Sequence, residues 1–145
     1  MLALTLLFAA LPQLATSSAA RAATAPAEML MIGDSVLNGL AQGYSTAGRD
    51  ALAARHSFIL ETAGCRRLIA PSCRIPPAPA PTNAITVLRA RAGQYDRVLV
   101  IAAGYNDDPT GPAGVDTAVD TIIAEARLQG ILHVIWLTYR EAGTV

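Results

Sequence analysis

Ser35 stands where an exposed nucleophile would sit, within the run Ile-Gly-Asp-Ser-Val-Leu-Asn-Gly. Residues 29–32, directly before this run, are all apolar and are ended by Gly33, which predicts a strand buried on both faces of a parallel sheet. A serine on the sharp turn after such a strand is accessible to a substrate. The same hydroxyl could instead cap the free N–H groups of the helix that follows, so these residues alone leave both interpretations open.

A second polar turn follows another apolar run. Residues 97–103 predict a second buried strand, and it leads directly into Gly104-Tyr105-Asn106-Asp107. Because parallel strands deliver their carboxyl ends to one edge of a sheet, Ser35 and Asn106 can meet there. An Asn amide beside a serine nucleophile can donate to the oxyanion of an acyl-transfer intermediate, and Gly104 lets the backbone approach closely. Asn after Gly is also ordinary turn chemistry.

Together the two turns resemble the motifs of the SGNH (GDSL-like) hydrolases. The first block of that family is Gly-Asp-Ser after the first strand, and the third is Gly-x-Asn-Asp after the third strand. The second block is a glycine after the second strand, and Gly64 has that position here. The resemblance extends from about residue 29 to residue 139. It implies a flavodoxin-like, three-layer αβα fold with a parallel sheet.

The resemblance also implies a role for each matching residue. Ser35 is the expected nucleophile, and the expected oxyanion donors are Ser35, Gly64 and Asn106. Asp34, Gly104 and Asp107 would support the loops without transferring protons. The resemblance implies no metal and no other cofactor, although carboxylates at one sheet edge could attract a hard cation. The residues of such a metal site would be Asp34, Asp107 and Asp108.

The fourth block of the family, an Asp-x-x-His that supplies the general base, has no match. His56 and His133 both precede predicted strands, at the amino edge of the sheet. A strand of about five residues at roughly 3.3 Å each separates that edge from Ser35, far beyond the roughly 2.6–3.2 Å that a base needs. We therefore expect both histidines to be structural or solvated. We also expect a longer reading frame, with the last strand and helix of the fold missing and residues 131–138 left as an exposed apolar edge.

Length and charge limit the class of protein. The 145 residues suffice for one domain, which we place at residues 29–145. The formal net charge is zero, and the 11 basic residues, all Arg, are mostly dispersed, which argues against a nucleic-acid partner. Residues 2–11 are apolar but too short to span a bilayer comfortably, and small residues follow. We therefore predict a signal peptide over residues 1–25 and a secreted or cell-envelope protein.

That signal is imperfect, because no basic residue precedes the apolar run. The alternative is an uncleaved anchor, and only then would a membrane be a partner. The two cysteines favour export, since Cys65 and Cys73 would pair in an oxidising compartment and contribute roughly 2–3 kcal/mol. Such a disulfide would also fix Gly64. Their spacing suits neither a redox motif nor a zinc site, and two free thiols are the alternative.

The remaining elements predict regular alternation of strands and helices. Residues 36–55 have helical periodicity interrupted by three glycines, and residues 57–62 predict the second strand. The proline-rich residues 71–81 predict an extended loop that forms one wall of a cleft. Tyr105 and Tyr139 are placed near that cleft by position alone. Two further helices, at residues 83–92 and 115–128, the second ended by Gly130, complete right-handed βαβ units.

These observations predict an exported serine esterase or deacylase. Its substrate would be a small-molecule or carbohydrate ester, with an acetyl or other acyl group on a carbohydrate or lipid. Two alternatives stay open. One is a non-catalytic exported module that binds acylated sugars, or an inactive fragment, and the other is an acyltransferase that passes the acyl group to a sugar hydroxyl.

Overall fold

The computed structural model describes residues 25–43, 46–108 and 114–138. All but the last residue of the predicted signal peptide, and also Tyr139, lie outside the described residues. No helix in the described ranges is long and apolar enough to cross a membrane.

Within the described ranges, four strands and three α-helices alternate, as the sequence pattern predicts. A short 3₁₀ helix follows the first strand. The elements in chain order are β1 (Ala27–Gly33), the 3₁₀ helix (Leu37–Ala41), α1 (Thr46–Ala53), β2 (Phe58–Thr62), α2 (Ala84–Ala90), β3 (Tyr95–Ala102), α3 (Val115–Leu128) and β4 (His133–Trp136).

The four strands form one parallel sheet in the order β2-β1-β3-β4. Met31 of β1 pairs with Leu60 of β2 on one side and with Val100 of β3 on the other. The order reverses between β1 and β3, and such a switch point is where open α/β sheets form their ligand crevices. The strand order is that of the first four positions of a flavodoxin-like sheet, so the α/β fold class is confirmed.

Helices cover both faces of the sheet because the β1 side chains alternate between two apolar clusters. Leu30 and Ile32 belong to a cluster that includes Leu88 of α2 and Ile122 of α3. Met29 and Met31 belong to the other cluster, with Leu37 of the 3₁₀ helix and, at its margin, Leu52 of α1. Full burial of each such side chain contributes about 1.5–3 kcal/mol. The three layers predicted from the strand and helix pattern are therefore present.

The segment after Ser35 is not one continuous helix, in agreement with the three glycines that interrupt its helical periodicity. It is a 3₁₀ helix of five residues and then a separate helix, α1, which buries no residue. Gly39 and Gly43 lie in this segment, and glycine in a helix interior is less favourable than alanine by about 1 kcal/mol. With no deeply buried apolar face on α1 to offset that difference, a continuous helix does not form.

The other predicted boundaries agree closely with the structure. Helix α3 begins and ends at the predicted residues, and Gly130 follows it with a positive φ of 79°. Helix α2 is capped by Asn83, whose side chain accepts the Thr86 N–H at 3.1 Å. Within the described sheet β4 is an edge strand, and Leu132, Ile135 and Leu137 are exposed around it, as expected.

Candidate active site

The turn that carries Ser35 lies at the carboxyl end of β1, an interior strand of the sheet. The N–H of Asp34 donates to the Ala102 carbonyl at 3.1 Å, which joins the turn to the end of β3. On the other side, the Ala63 N–H donates to the Gly33 carbonyl at 3.2 Å, which joins it to the end of β2. Ser35 itself is exposed. The turn is therefore fixed from both sides while its serine faces solvent.

The Ser35 hydroxyl does not cap the helix that follows. The Asp34 side chain is fully buried, and its Oδ1 accepts the Val36 N–H at 2.9 Å. The Asp34 carbonyl accepts the Asn38 N–H at 3.0 Å. The 3₁₀ helix has no side-chain cap, and within the described residues the Ser35 hydroxyl forms no hydrogen bond. Asp34 thus accepts two backbone N–H groups of this turn, while the serine hydroxyl makes no such bond.

Gly33 is required by close packing at this turn. A Cβ atom at position 33 would lie 2.3 Å from the Leu37 Cβ, far inside van der Waals contact. Leu37 is buried beneath the start of the 3₁₀ helix and has no open space into which it could move. The glycine of the Gly-Asp-Ser run therefore lets the 3₁₀ helix fold back directly over the end of β1.

The loops that follow β2 and β3 contact each other beyond the end of β1. The Asn106 side chain donates from Nδ2 to the Arg66 carbonyl at 3.3 Å. The Asp107 carboxylate accepts the Leu68 N–H, at 3.0 Å to Oδ1 and 3.1 Å to Oδ2. Gly104, with φ of 132°, provides the turn between β3 and these side chains. The structure thus brings the Gly64 loop and the Asn106 loop together at the edge where Ser35 lies.

Several N–H donors at this edge are not engaged within the described part of the chain. The backbone N–H groups of Ser35 and Gly64 make no hydrogen bond to a described residue. The Asn106 amide carries two hydrogens, and its hydrogen bond to the Arg66 carbonyl uses one of them. Donors of this kind near a serine hydroxyl can stabilise an oxyanion formed on attack at a carbonyl.

Burial controls the electrostatics of Asp107. Desolvation raises the pKa of the Asp107 carboxyl above its ordinary value of 3.8, and the nearby Asp34 carboxylate raises it further. The hydrogen bond from Leu68 and the charge of Arg67 act in the opposite direction. Since Asp107 holds the backbone of the neighbouring loop, its position agrees with the supporting role predicted for it.

Arg66 is a residue at this edge whose importance is not evident from sequence. Its side chain is only 4% exposed, and Nη1 donates to the Glu61 carbonyl at 2.8 Å. Burial lowers the pKa of the Arg66 guanidinium, while the Glu61 carboxylate opposes that shift. Glu61 also accepts hydrogen bonds from Arg91. The sequence shows only an Arg-Arg pair in a loop, and nothing in that pair indicates which guanidinium is buried.

Cys65 and Cys73 form a disulfide, as predicted, with their Cα atoms 5.3 Å apart. The Cys73 N–H also donates to the Cys65 carbonyl at 3.2 Å. Cys65 has a φ of 65°, in the left-handed region that non-glycine residues seldom adopt. The disulfide and the hydrogen bond therefore hold an unfavourable backbone conformation directly after Gly64.

Both histidines lie at the opposite edge of the sheet, as predicted. His56 precedes β2, and its Nδ1 lies 2.9 Å from Glu28 Oε2 near the start of β1. His133 is the first residue of β4 and pairs with Val98. The structure therefore brings neither ring to Ser35. Tyr105, by contrast, is at the carboxyl edge and exposed.

Comparison with protein-family models, with curated proteins and with solved structures found no match. The described residues also contain no group of three or more His, Cys, Asp or Glu side chains that could hold a metal ion. The side chains and backbone groups of this chain are accordingly the basis for its function.

Proposed function

We propose that this chain carries the serine nucleophile and the oxyanion-binding groups of an exported ester hydrolase of the SGNH type. The observation that carries the proposal is the state of Ser35. Ser35 is exposed at the switch point of a parallel sheet, and its hydroxyl does not cap the 3₁₀ helix, which has no side-chain cap. The disulfide supports export, since disulfides persist in oxidising compartments.

In the proposed reaction, Ser35 Oγ attacks the ester carbonyl carbon while its proton passes to a general base. The oxyanion accepts hydrogen bonds from the N–H groups of Ser35 and Gly64 and from the Asn106 amide. The carbonyl re-forms as the alcohol leaves with the proton, and water then hydrolyses the acyl-enzyme. Because both histidines lie at the amino edge, neither is the general base in the proposed reaction.

The position of the histidines also favours a second candidate, a module that binds acyl esters without turnover. The same cleft and the same N–H donors would then hold the ester carbonyl, but Ser35 would not attack it. The two candidates differ in one observable. A hydrolase releases acid and alcohol from a simple ester, whereas a binding module shows saturable binding and no release.

The test uses the full-length protein and a p-nitrophenyl ester as substrate. We expect Ser35→Ala to lower kcat/KM by about 10³-fold or more, as loss of a serine nucleophile does in other serine hydrolases. The matched control is Ser57→Ala, which changes a serine at the amino edge whose Oγ accepts the Glu28 N–H at 3.0 Å. Hydrolysis that is unaffected by Ser35→Ala would contradict the proposal. Ester binding without release by the wild-type protein would favour the binding module.

A further inference from the structure

An open groove of about 380 Å³ lies beside Gly64. Ala63 and Gly64 form one wall, and the proline-rich segment that begins at Ile75 forms the other. Ile75 lies closest to the candidate oxyanion donor, since its Cδ1 would be 3.4 Å from a Cβ atom built on Gly64. The groove therefore adjoins Gly64, one of the three candidate oxyanion donors.

The chemistry of the walls is almost wholly apolar. The side chains that line the groove are those of alanine, isoleucine and proline, with no charged or aromatic group among them. Four of the lining residues are prolines, which have no backbone N–H to donate. Recognition of a sugar needs convergent polar groups, which these walls do not offer. An aliphatic chain needs only apolar surface, and each methylene that it buries is worth about 0.8 kcal/mol.

The disulfide holds the two walls together. Cys65 directly follows Gly64 on one wall, and Cys73 lies two positions before Ile75 on the other. Their Cα atoms are 5.3 Å apart, so the segments on either side of the bridge cannot separate freely. The prolines restrict the second wall further, because each fixes its own φ. Because the groove is already formed before a ligand binds, its walls lose little conformational freedom on binding.

We propose that this groove holds the acyl chain of the substrate, so that the preferred substrates are esters of aliphatic acids longer than acetate. This inference rests on the proposed function. The groove is assigned to the acyl chain because the acyl group stays attached to Ser35 through both half-reactions. The alcohol, in contrast, leaves after the first half-reaction and needs an open path to solvent.

The experiment compares p-nitrophenyl acetate, butyrate and hexanoate as substrates for the full-length protein. We expect kcat/KM to rise with acyl length, by up to about fourfold for each methylene that enters the groove. Ile75→Trp should fill the groove and lower kcat/KM for the hexanoate ester far more than for the acetate ester, which removes this preference. The matched control is Ile135→Trp, because Ile135 lies on β4 and is 48% exposed, close to the 56% of Ile75. Ile75→Ser, which keeps the space but makes the wall polar, is a second variant that should weaken the preference.

Three results separate the possible failures. A rate that depends on Ser35 but not on acyl length would overturn the acyl groove and leave the proposed hydrolase intact. A preference that follows the length of the alcohol, measured with acetate esters of butanol and hexanol, would also overturn it. Absence of Ser35-dependent hydrolysis with every ester would instead overturn the proposed function.

Discussion

The two edges of this sheet carry similar polar residues but use them differently. At the carboxyl edge the Asp34 side chain is fully buried, and Asp107 binds a backbone N–H from a loop 39 residues away. At the amino edge Glu28 contacts His56 and Ser57 at the surface, where each side chain can also bind water. Carboxyl side chains are thus desolvated at the carboxyl edge, whereas Glu28 at the amino edge stays partly exposed.

This difference has a physical meaning for function. Burial of a carboxylate is unfavourable unless hydrogen bonds compensate it, so such groups are found where a loop must be held in one geometry. Here the geometry that is held is that of two loops around an exposed serine. A surface ion pair, such as that of His56 with Glu28, is typically worth less than about 1 kcal/mol and positions nothing else. Side-chain burial, more than residue type, therefore distinguishes the candidate site from the ordinary surface.

The largest effect that would sharpen the contrast between the two edges is expected on kcat, from substitution of Asn106. Asn106→Ala removes an oxyanion donor, and losses of this kind lower kcat by about 10²–10³-fold. Stability should change little, since the side chain makes a single long hydrogen bond of 3.3 Å to Arg66. Steady-state kinetics with a p-nitrophenyl ester, together with urea denaturation, check both parts.

The control for Asn106 is Asn38→Ala. Asn38 lies at the same edge, and its Oδ1 accepts a hydrogen bond from the Thr62 hydroxyl at 2.8 Å. It thus uses its oxygen as an acceptor, whereas Asn106 uses its amide nitrogen as a donor. We expect its kcat to stay within a few fold of wild type. If both variants lose rate equally, Asn106 has no special part in the reaction. Asn106→Asp, which keeps the shape but has no amide donor, should behave like Asn106→Ala.

The next largest effect is expected from Gly33→Ala. The added Cβ would lie 2.3 Å from the Leu37 Cβ, so either the 3₁₀ helix or the end of β1 must move. Overpacking of this kind lowers the free energy of unfolding by about 1–3 kcal/mol. Gly39→Ala is the matched control, because a Cβ there meets no atom within 4 Å. Urea denaturation of the two variants measures the difference, and equal stability would show that this edge tolerates repacking.

A smaller and pH-dependent effect is expected at Asp107. Because burial raises the pKa of its carboxyl above 3.8, the folded state binds a proton more tightly than the unfolded state. The free energy of unfolding should therefore fall as pH rises from about 3.8 through the raised pKa, by about 1.4 kcal/mol for each unit between the two values. Asp107→Asn has no charge to bury and should not show this decline.

Denaturation of wild type and Asp107→Asn across that pH range provides the measurement. Asp96→Asn, on the exposed stretch near the start of β3, is the matched control for removal of one carboxylate. Its pH profile should follow that of wild type. A wild-type profile that instead rose with pH relative to Asp107→Asn would mean that the hydrogen bonds from Leu68 outweigh the burial of the carboxylate.

Much of the fold follows from the sequence because it depends on local pattern. Helix α3 has apolar residues at helical spacing and a glycine directly after its capped end, and it begins and ends as predicted. The strands are continuous apolar runs, which indicate burial on both faces. The positions of Ser35 and Asn106 at one edge then follow from the parallel arrangement alone. Both histidines lie at the amino edge for the same reason.

Contacts across long stretches of chain could not be predicted in this way. The bond from Asn106 to the Arg66 carbonyl joins residues 40 positions apart, and no local pattern specifies it. The burial of Arg66 depends on how the Gly64 loop packs against β2. In each case tertiary packing determines the outcome, and the local sequence is compatible with more than one result.

The smallest effect is expected at the amino edge, from His56→Gln. The variant removes an exposed ion pair with Glu28, so the free energy of unfolding should fall by less than about 1 kcal/mol and the rate of ester hydrolysis should not change. The rate is the informative part, because His56 lies at the opposite edge of the sheet from Ser35. Steady-state kinetics of His56→Gln and His133→Gln side by side provide the measurement. If either variant lost rate by more than about tenfold while remaining folded, a histidine would have to reach Ser35 from another copy of the chain, and the division of roles between the two edges would be wrong.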